Sequence, residues 1–249
     1  MKTSLNQQEI ENFSKDSAHW WDLNGPFAPL HRLNPTRMSY IRDQIIKHYD
    51  LEAQKNFTAL QALKGLKVAD IGCGGGLVSE SLARMGADTF GLDADANAIE
   101  VARAHADEHD LKISYHNTTA EDFLDQDKTR FDVVCALEII EHVDHPEFFI
   151  ETISNLLKPG GLLILSTLNR TVKSAVFGIF AAEYVLNLVP KGTHTHSKFM
   201  KPSEIGALLR QNDMRTTDVT GIRYSLKSQD FILDKDDLSV NYFVAAHKA

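Results

Sequence analysis

Three side chains with acid–base or metal-binding chemistry stand close together in the run Leu137-Glu138-Ile139-Ile140-Glu141-His142. If the run is helical, Glu138 and His142 lie at i and i+4 with Glu141 between them, and all three share one face. Two carboxylates and an imidazole supply hard oxygen and nitrogen donors for a divalent cation. The same groups can instead serve acid–base chemistry, with His142 accepting a proton. A solvated helix turn closed by a Glu138–His142 pair is the third reading, and residue types alone leave all three open.

The second concentration is Val68-Ala69-Asp70-Ile71-Gly72-Cys73-Gly74-Gly75-Gly76, where an apolar run breaks into glycine. Glycine is needed where φ is positive or where a ligand must come closer than a Cβ allows. A second apolar run ends at Asp93, about 20 residues on, where a carboxylate can accept the hydrogen bonds of a ribose diol. The spacing Gly72-x-Gly74-x-Gly76 differs from the G-x-G-x-x-G that seats a pyrophosphate on a helix N-terminus. S-adenosylmethionine, which has no phosphate, is therefore expected here ahead of NAD. The structural alternative is a glycine turn that only packs a helix on a sheet. Thr118 to Asp122 offers Glu121 and its neighbours to an adenine edge, or serves as a helix N-cap with acidic residues complementing the dipole.

The elements that would position these groups alternate. Strands are expected at Lys67–Ile71, Thr89–Asp93, Ile113–His116, Phe131–Leu137 and Gly161–Thr167. Helices at Leu77–Met85, Asn97–Asp107 and Pro146–Leu157 separate most of them, which implies crossovers and a mainly parallel sheet. Helix Lys201–Asn212 and strands near Met214–Gly221 and Asn241–His247 follow, the last two suggesting a hairpin with one antiparallel member. The fold class is α/β: a Rossmann-like, doubly wound, mainly parallel seven-stranded sheet with an antiparallel C-terminal strand. In such sheets the ligand sits at the carboxyl ends of the strands, where the winding reverses.

Residues 1–249 read as one domain: a helical extension (1–64), a cofactor-binding core (65–169), an insertion (170–200) and the rest of the core (201–249). Within the extension, His19 to Pro35 is rich in proline and aromatics and is expected to be a structured loop, with helical periodicity from Arg37 through Met38, Ile41, Ile45 and Ile46. The insertion carries Val172, Val176, Phe177, Ile179, Phe180, Val185, Leu186 and Leu188, and is expected to be a lid, a membrane contact through 172–189, a dimer surface or ordinary core. His194 and His196 at its end are read as loop residues rather than ligands.

Composition excludes several classes. With 26 basic against 34 acidic residues the net charge is −8, which argues against nucleic acid as a partner. Two cysteines, Cys73 and Cys135, have no metal-ligand spacing and suggest a reducing compartment. Residues 1–15 lack an apolar core and no apolar run is long enough to span a bilayer, so a cytoplasmic location is expected.

Together these motifs resemble the class I S-adenosylmethionine-dependent methyltransferases, and more narrowly the ubiquinone-biosynthesis O-methyltransferases. The narrower resemblance rests on Trp20-Trp21-Asp22, Pro29-Leu30-His31-Arg32-Leu33-Asn34-Pro35, Ser166-Thr167-Leu168-Asn169-Arg170 and Val189-Pro190-Lys191-Gly192-Thr193-His194, which are far more specific than the glycine motif. It covers nearly the whole chain. It implies methylation of ring hydroxyls of polyprenyl catechols and 3-demethylubiquinol, with S-adenosylhomocysteine as product. It also implies that Arg37, Gly72, Asp93 and Leu137 line the cofactor site, and that Glu138, Glu141 and His142 hold Mg²⁺ in relatives that use it. Leu137 stands where methionine is usual, an apolar exchange of similar volume. The polyprenyl acceptor places the enzyme at the inner membrane face, where other quinone-pathway enzymes are expected partners. Another small phenolic acceptor and a non-catalytic S-adenosylmethionine-binding protein are the alternatives.

Overall fold

Alternation along the strands divides the interior in two. In β1 (Lys67–Ile71), β4 (Phe131–Leu137) and β5 (Leu157–Leu168), Ala69, Ile71, Val134, Ala136, Leu163 and Leu165 belong to one apolar core. Val68, Val133, Cys135, Leu162 and Ile164, the residues beside them, belong to the other. Successive side chains of a strand point to opposite faces, so a sheet covered on both sides needs near-continuous apolar runs. Helices α5 (Pro146–Leu156) and α6 (Pro202–Gln211) cover the first face through Phe149, Ile153, Ile205 and Leu209. Helices α1 (Ala28–Tyr49) and α2 (Leu77–Arg84) cover the second through Tyr40, Ile41, Ile45 and Leu82.

The computed structural model describes residues 3, 4, 6, 10, 11, 14–174, 196–225 and 227–249. The remaining strands are β2 (Asp88–Asp93), β3 (Ile113–Asn117), β6 (Met214–Ser225), β7 (Asp230–Asp234) and β8 (Asn241–Lys248). Among the described residues they form one eight-stranded sheet in the order β3-β2-β1-β4-β5-β8-β6-β7. The first five are parallel, β8 slots antiparallel between β5 and β6, and β7 pairs antiparallel along β6. Helices α3 (Ala96–Glu108) and α4 (Ala120–Gln126) follow β2 and β3. The winding reverses between β1 and β4. The glycine turn, Asp93 and Glu138 therefore meet at one end of the sheet.

The α/β, doubly wound, mainly parallel class stands, with three local differences. The sheet has an eighth strand, β7. Its sequence, Asp-Phe-Ile-Leu-Asp, is three apolar residues between acids, a short half-buried edge strand without the alternation that marks a strand in sequence. Helix α1 begins at Ala28, so the proline-rich stretch there is helix rather than loop. Pro29 sits in the first turn, where no N–H is needed, and starts the helix instead of breaking it, while Pro35 is tolerated inside. Lys158 to Gly161 lies within β5 as an irregularity: the pairing with β4 jumps from Phe131–Leu157 to Val133–Leu162, and Gly160 takes φ +74. Most of the apolar insertion, residues 175–195 with Val176 to Val189 and His194, lies outside the described residues.

Candidate active site

Gly72 ends β1 at φ +71, a conformation that favours glycine. A Cβ there would lie 2.6 Å from Ile139 Cδ1, so the turn is also packed tightly against the segment that carries the acidic trio. At Gly74 and Gly75 the close neighbour is protein: a Cβ on either would run into Trp20. Gly76 faces away and packs on Tyr115, and it does not line the cavity described below. Of the three glycines expected to meet cofactor, Gly72 and Gly74 line that cavity.

Asp93, at the end of β2, is held by its own backbone surroundings. The Gly74 N–H donates to Oδ2 and the Asp95 N–H to Oδ1, each at 2.8 Å. Burial raises its pKa against those hydrogen bonds. Next to it, Asp95 accepts from Ser14 Oγ at 3.0 Å and from Ser17 Oγ at 2.6 Å. Glu121, buried, accepts from the Ser4 N–H at 3.0 Å. The expected N-cap at its helix is present, with the Asp122 N–H donating to Thr119 Oγ1 at 2.9 Å. Ser4, Ser14 and Ser17 thus reach the carboxyl ends of β2 and β3. Residue types alone did not point to this, because single serines carry no spacing signal.

The Glu138–His142 run is not an α-helix. Glu138 has φ +52, and only Ile140–His142 form a single 3-10 turn, so the shared face expected from i, i+4 spacing does not exist. The left-handed residue turns the chain where β4 ends, and Glu138 points to the far strands. Its Oε1 accepts from Ser166 Oγ at 2.6 Å and Asn241 Nδ2 at 3.0 Å, and Arg37 Nη2 lies 3.9 Å away. Glu141 is 3% exposed and accepts from Thr167 Oγ1 at 2.8 Å. Burial first, and the Glu138 charge second, push its pKa up to about 7, with His142 acting in the opposite sense.

All three still border one cavity, and their donor types fit a hard divalent cation. Their ligand atoms, however, are not gathered. Among the described residues the set whose ligand atoms lie within 4.8 Å of one another is Glu80, His105 and His109. That cluster braces the glycine turn from outside: His105 Nδ1 is 2.6 Å from Glu80 Oε1, and the Trp21 ring stacks on His105 at 3.4 Å while its Nε1–H donates to the Gly75 carbonyl at 3.0 Å.

Two buried charges complete the site. Arg37 is 5% exposed, and among the described residues its Nε has no hydrogen-bond partner. Burial lowers its pKa, while Glu138, Asp70 and Glu141 act to raise it. Asp70, which drew attention only as part of the glycine motif, accepts from Ser79 Oγ at 2.6 Å, and burial pushes its pKa up to about 7. A guanidinium and a carboxylate therefore face the same space from opposite sides of the turn.

That space is a cavity of about 1390 Å³ lined by Gly72, Asp93, Leu137, Arg37, Glu141 and His142, among others. Pockets for one drug-sized molecule run to roughly 1,000 Å³. This one has room for a cofactor and an acceptor together.

Residues 41–219 match the family described as a methyltransferase domain. The ubiquinone biosynthesis O-methyltransferase of Roseobacter denitrificans is 45% identical over 247 residues, 99% of this chain and 98% of that protein. The chain belongs to the ubiquinone biosynthesis O-methyltransferase family. The protein of the same name from Bartonella bacilliformis is 43% identical, covering 98% of this chain and 96% of its own length. Among solved structures, the Synechocystis magnesium protoporphyrin IX methyltransferase with bound S-adenosylhomocysteine superimposes at a TM-score of 0.65, with 17% identity and coverage of 98% and 97%. At that identity the likeness concerns the fold. This family member is an S-adenosylmethionine-dependent O-methyltransferase.

Proposed function

We propose that the enzyme methylates ring hydroxyls of polyprenyl catechol and of 3-demethylubiquinol, and that Arg37, Gly72, Gly74, Asp93, Glu121 and Leu137 bind the cofactor while Glu138, Glu141 and His142 serve the acceptor. The observation that carries this reading is the continuity of one cavity from the glycine turn to Glu141 and His142. Asp93 takes the ribose and the Arg37 guanidinium takes the carboxylate of the aminoacyl arm. Asp70 faces the positive charges of the same arm.

Methyl transfer is an in-line displacement by a phenolate oxygen on the sulfonium methyl. Holding donor and acceptor in line is worth roughly 7–11 kcal/mol when the geometry is good. A phenol resembles tyrosine, with a pKa of about 10, so about one molecule in a thousand is ionised at neutral pH. The site must raise that fraction. Mg²⁺ held by Glu138, Glu141 and His142 would supply direct charge to the phenolate. The repulsion between the buried Glu141 and the half-buried Glu138 favours this reading, since a cation relieves it. A second reading needs no metal: His142 accepts the hydroxyl proton and Glu141 orients the ring. The ungathered ligand atoms, and the hydroxyl partners already on both glutamates, favour that version.

The test is product analysis. Purified enzyme, S-adenosylmethionine and each of the two acceptors should give products heavier by one methyl, placed on the ring oxygen by fragmentation. Methylation of unrelated phenols at equal rates would overturn the acceptor assignment.

Asp70 gives a pH prediction. With its pKa near 7, the carboxyl favours the folded free enzyme when protonated, and that contribution is lost as pH rises through about 7. The cofactor's sulfonium and ammonium favour the ionised form. Binding between about pH 5 and 7 should therefore release protons, and affinity should rise with pH. Calorimetry in buffers of different ionisation enthalpy reads this directly; proton uptake on binding would contradict it.

A polyprenyl acceptor is insoluble in water, so we infer contact with the inner membrane face through residues 172–189. Val172, at the start of that stretch, is 82% exposed, and among the described residues no helix is long and apolar enough to cross a membrane. Deleting 176–185 without unfolding should abolish co-sedimentation with anionic liposomes. Unchanged sedimentation would sink the inference.

A further inference from the structure

Helix α1 presents one face to the cavity along its first half. Leu30, Leu33 and Arg37 follow at helical spacing, and all three line it. Seven residues of helix advance about 10 Å. Over that distance the wall changes from a buried cation beside Glu138 to aliphatic side chains. Opposite stands the β6–β7 hairpin, which contributes Ile222, Phe231 and Tyr224. Leu33 and Ile222 are buried, Phe231 is half-buried, and Tyr224 is exposed at 42%. These apolar side chains lead from the reacting end toward a rim open to solvent, where the ion-paired Arg223 and Asp234 also border the cavity.

The two walls are tied together. Thr36 Oγ1 donates to the Phe231 carbonyl at 2.9 Å, one helical turn beyond Arg32, whose Nη2 donates to the Gln229 carbonyl at 2.9 Å. The Arg32 guanidinium also lies 5.7 Å from the centre of the Tyr224 ring. These ties hold an apolar slot between helix and hairpin at a fixed width. The cofactor has no use for it, since its own groups are met at the glycine turn, Asp93 and Arg37.

We propose that this slot, between α1 and the β6–β7 hairpin, receives the acceptor's isoprenoid chain and that Leu30, Leu33, Ile222 and Phe231 set the enzyme's preference for prenylated rings, with Tyr224 at the exit. The proposal rests on the acceptor reading above and adds where the chain lies. A ring seated at Glu141 and His142 directs its substituent along the apolar wall. Burial of apolar methylenes is favourable and adds up along the chain, so even one isoprene unit has a large effect on binding.

The experiment compares two catechols, one carrying a short prenyl chain and one carrying a methyl group, in the full-length enzyme. Wild type is expected to favour the prenylated ring at least tenfold in kcat/KM. In Leu30→Glu, at the partly buried part of the wall, that ratio should fall tenfold or more, mainly through KM for the prenylated acceptor, while cofactor affinity reports intact folding. If Leu30→Glu fails to bind cofactor, Tyr224→Asp at the exposed exit replaces it, with a smaller fall in the same ratio. An unchanged ratio in a variant that binds cofactor overturns the slot. Wild type that methylates neither catechol would instead overturn the acceptor reading.

Discussion

His142→Ala is expected to lower kcat by about 100- to 10,000-fold, the range that a positioned acid–base group contributes, with S-adenosylmethionine affinity nearly unchanged. His142 lines the cavity next to the buried Glu141, in the 3-10 turn that follows β4. Whether it holds a cation or takes the proton, its loss leaves the acceptor as neutral phenol in the bound complex. The defect should therefore appear in single turnovers at saturating cofactor. It should shrink at high pH, where the acceptor ionises unaided. Glu141→Gln, which keeps shape and removes charge, should follow in the same direction. Lost cofactor binding with normal turnover at saturation would contradict the assignment.

Arg37→Met should weaken S-adenosylmethionine binding by about 30-fold or more. Removing one member of a buried, hydrogen-bonded charge pair typically costs 2–5 kcal/mol. Methionine retains an unbranched apolar stem without the charge. The partner at stake is the cofactor's carboxylate, so methylthioadenosine, which lacks the aminoacyl arm, should bind both proteins alike. Equal losses for the two ligands would show that Arg37 only supports the fold. Without the guanidinium, the Asp70, Glu138 and Glu141 carboxyls also lose their shared counter-charge, and the free variant should be less stable at pH 8 than at pH 6 relative to wild type.

The centre of the parallel core was legible in sequence because β1, β4 and β5 are buried on both faces, which leaves unbroken apolar runs such as Val133 to Leu137. The glycine turn and Asp93 were legible because backbone geometry restricts which residues can stand there. Two features were hidden for physical reasons. Glu138 takes φ +52, and no residue-type signal distinguishes a left-handed glutamate from a helical one, so an i, i+4 pattern pointed to a shared face that the chain does not form. The β6–β7 hairpin and the described N-terminal residues are edge features tied across the site by isolated side-chain hydrogen bonds, such as Thr36 to Phe231 and Ser17 to Asp95. Such long-range pairs leave no periodicity behind.

The central claim is most directly tested by mixing metal-stripped enzyme with labelled S-adenosylmethionine and a short-chain prenyl catechol, in EDTA and then in excess Mg²⁺. The account predicts label transfer to the ring oxygen when Mg²⁺ is present, and its loss in EDTA would assign a cation to Glu138, Glu141 and His142. Transfer indifferent to EDTA would contradict the cation reading and assign the proton to His142. No transfer under either condition, with cofactor bound, would contradict the proposed function itself.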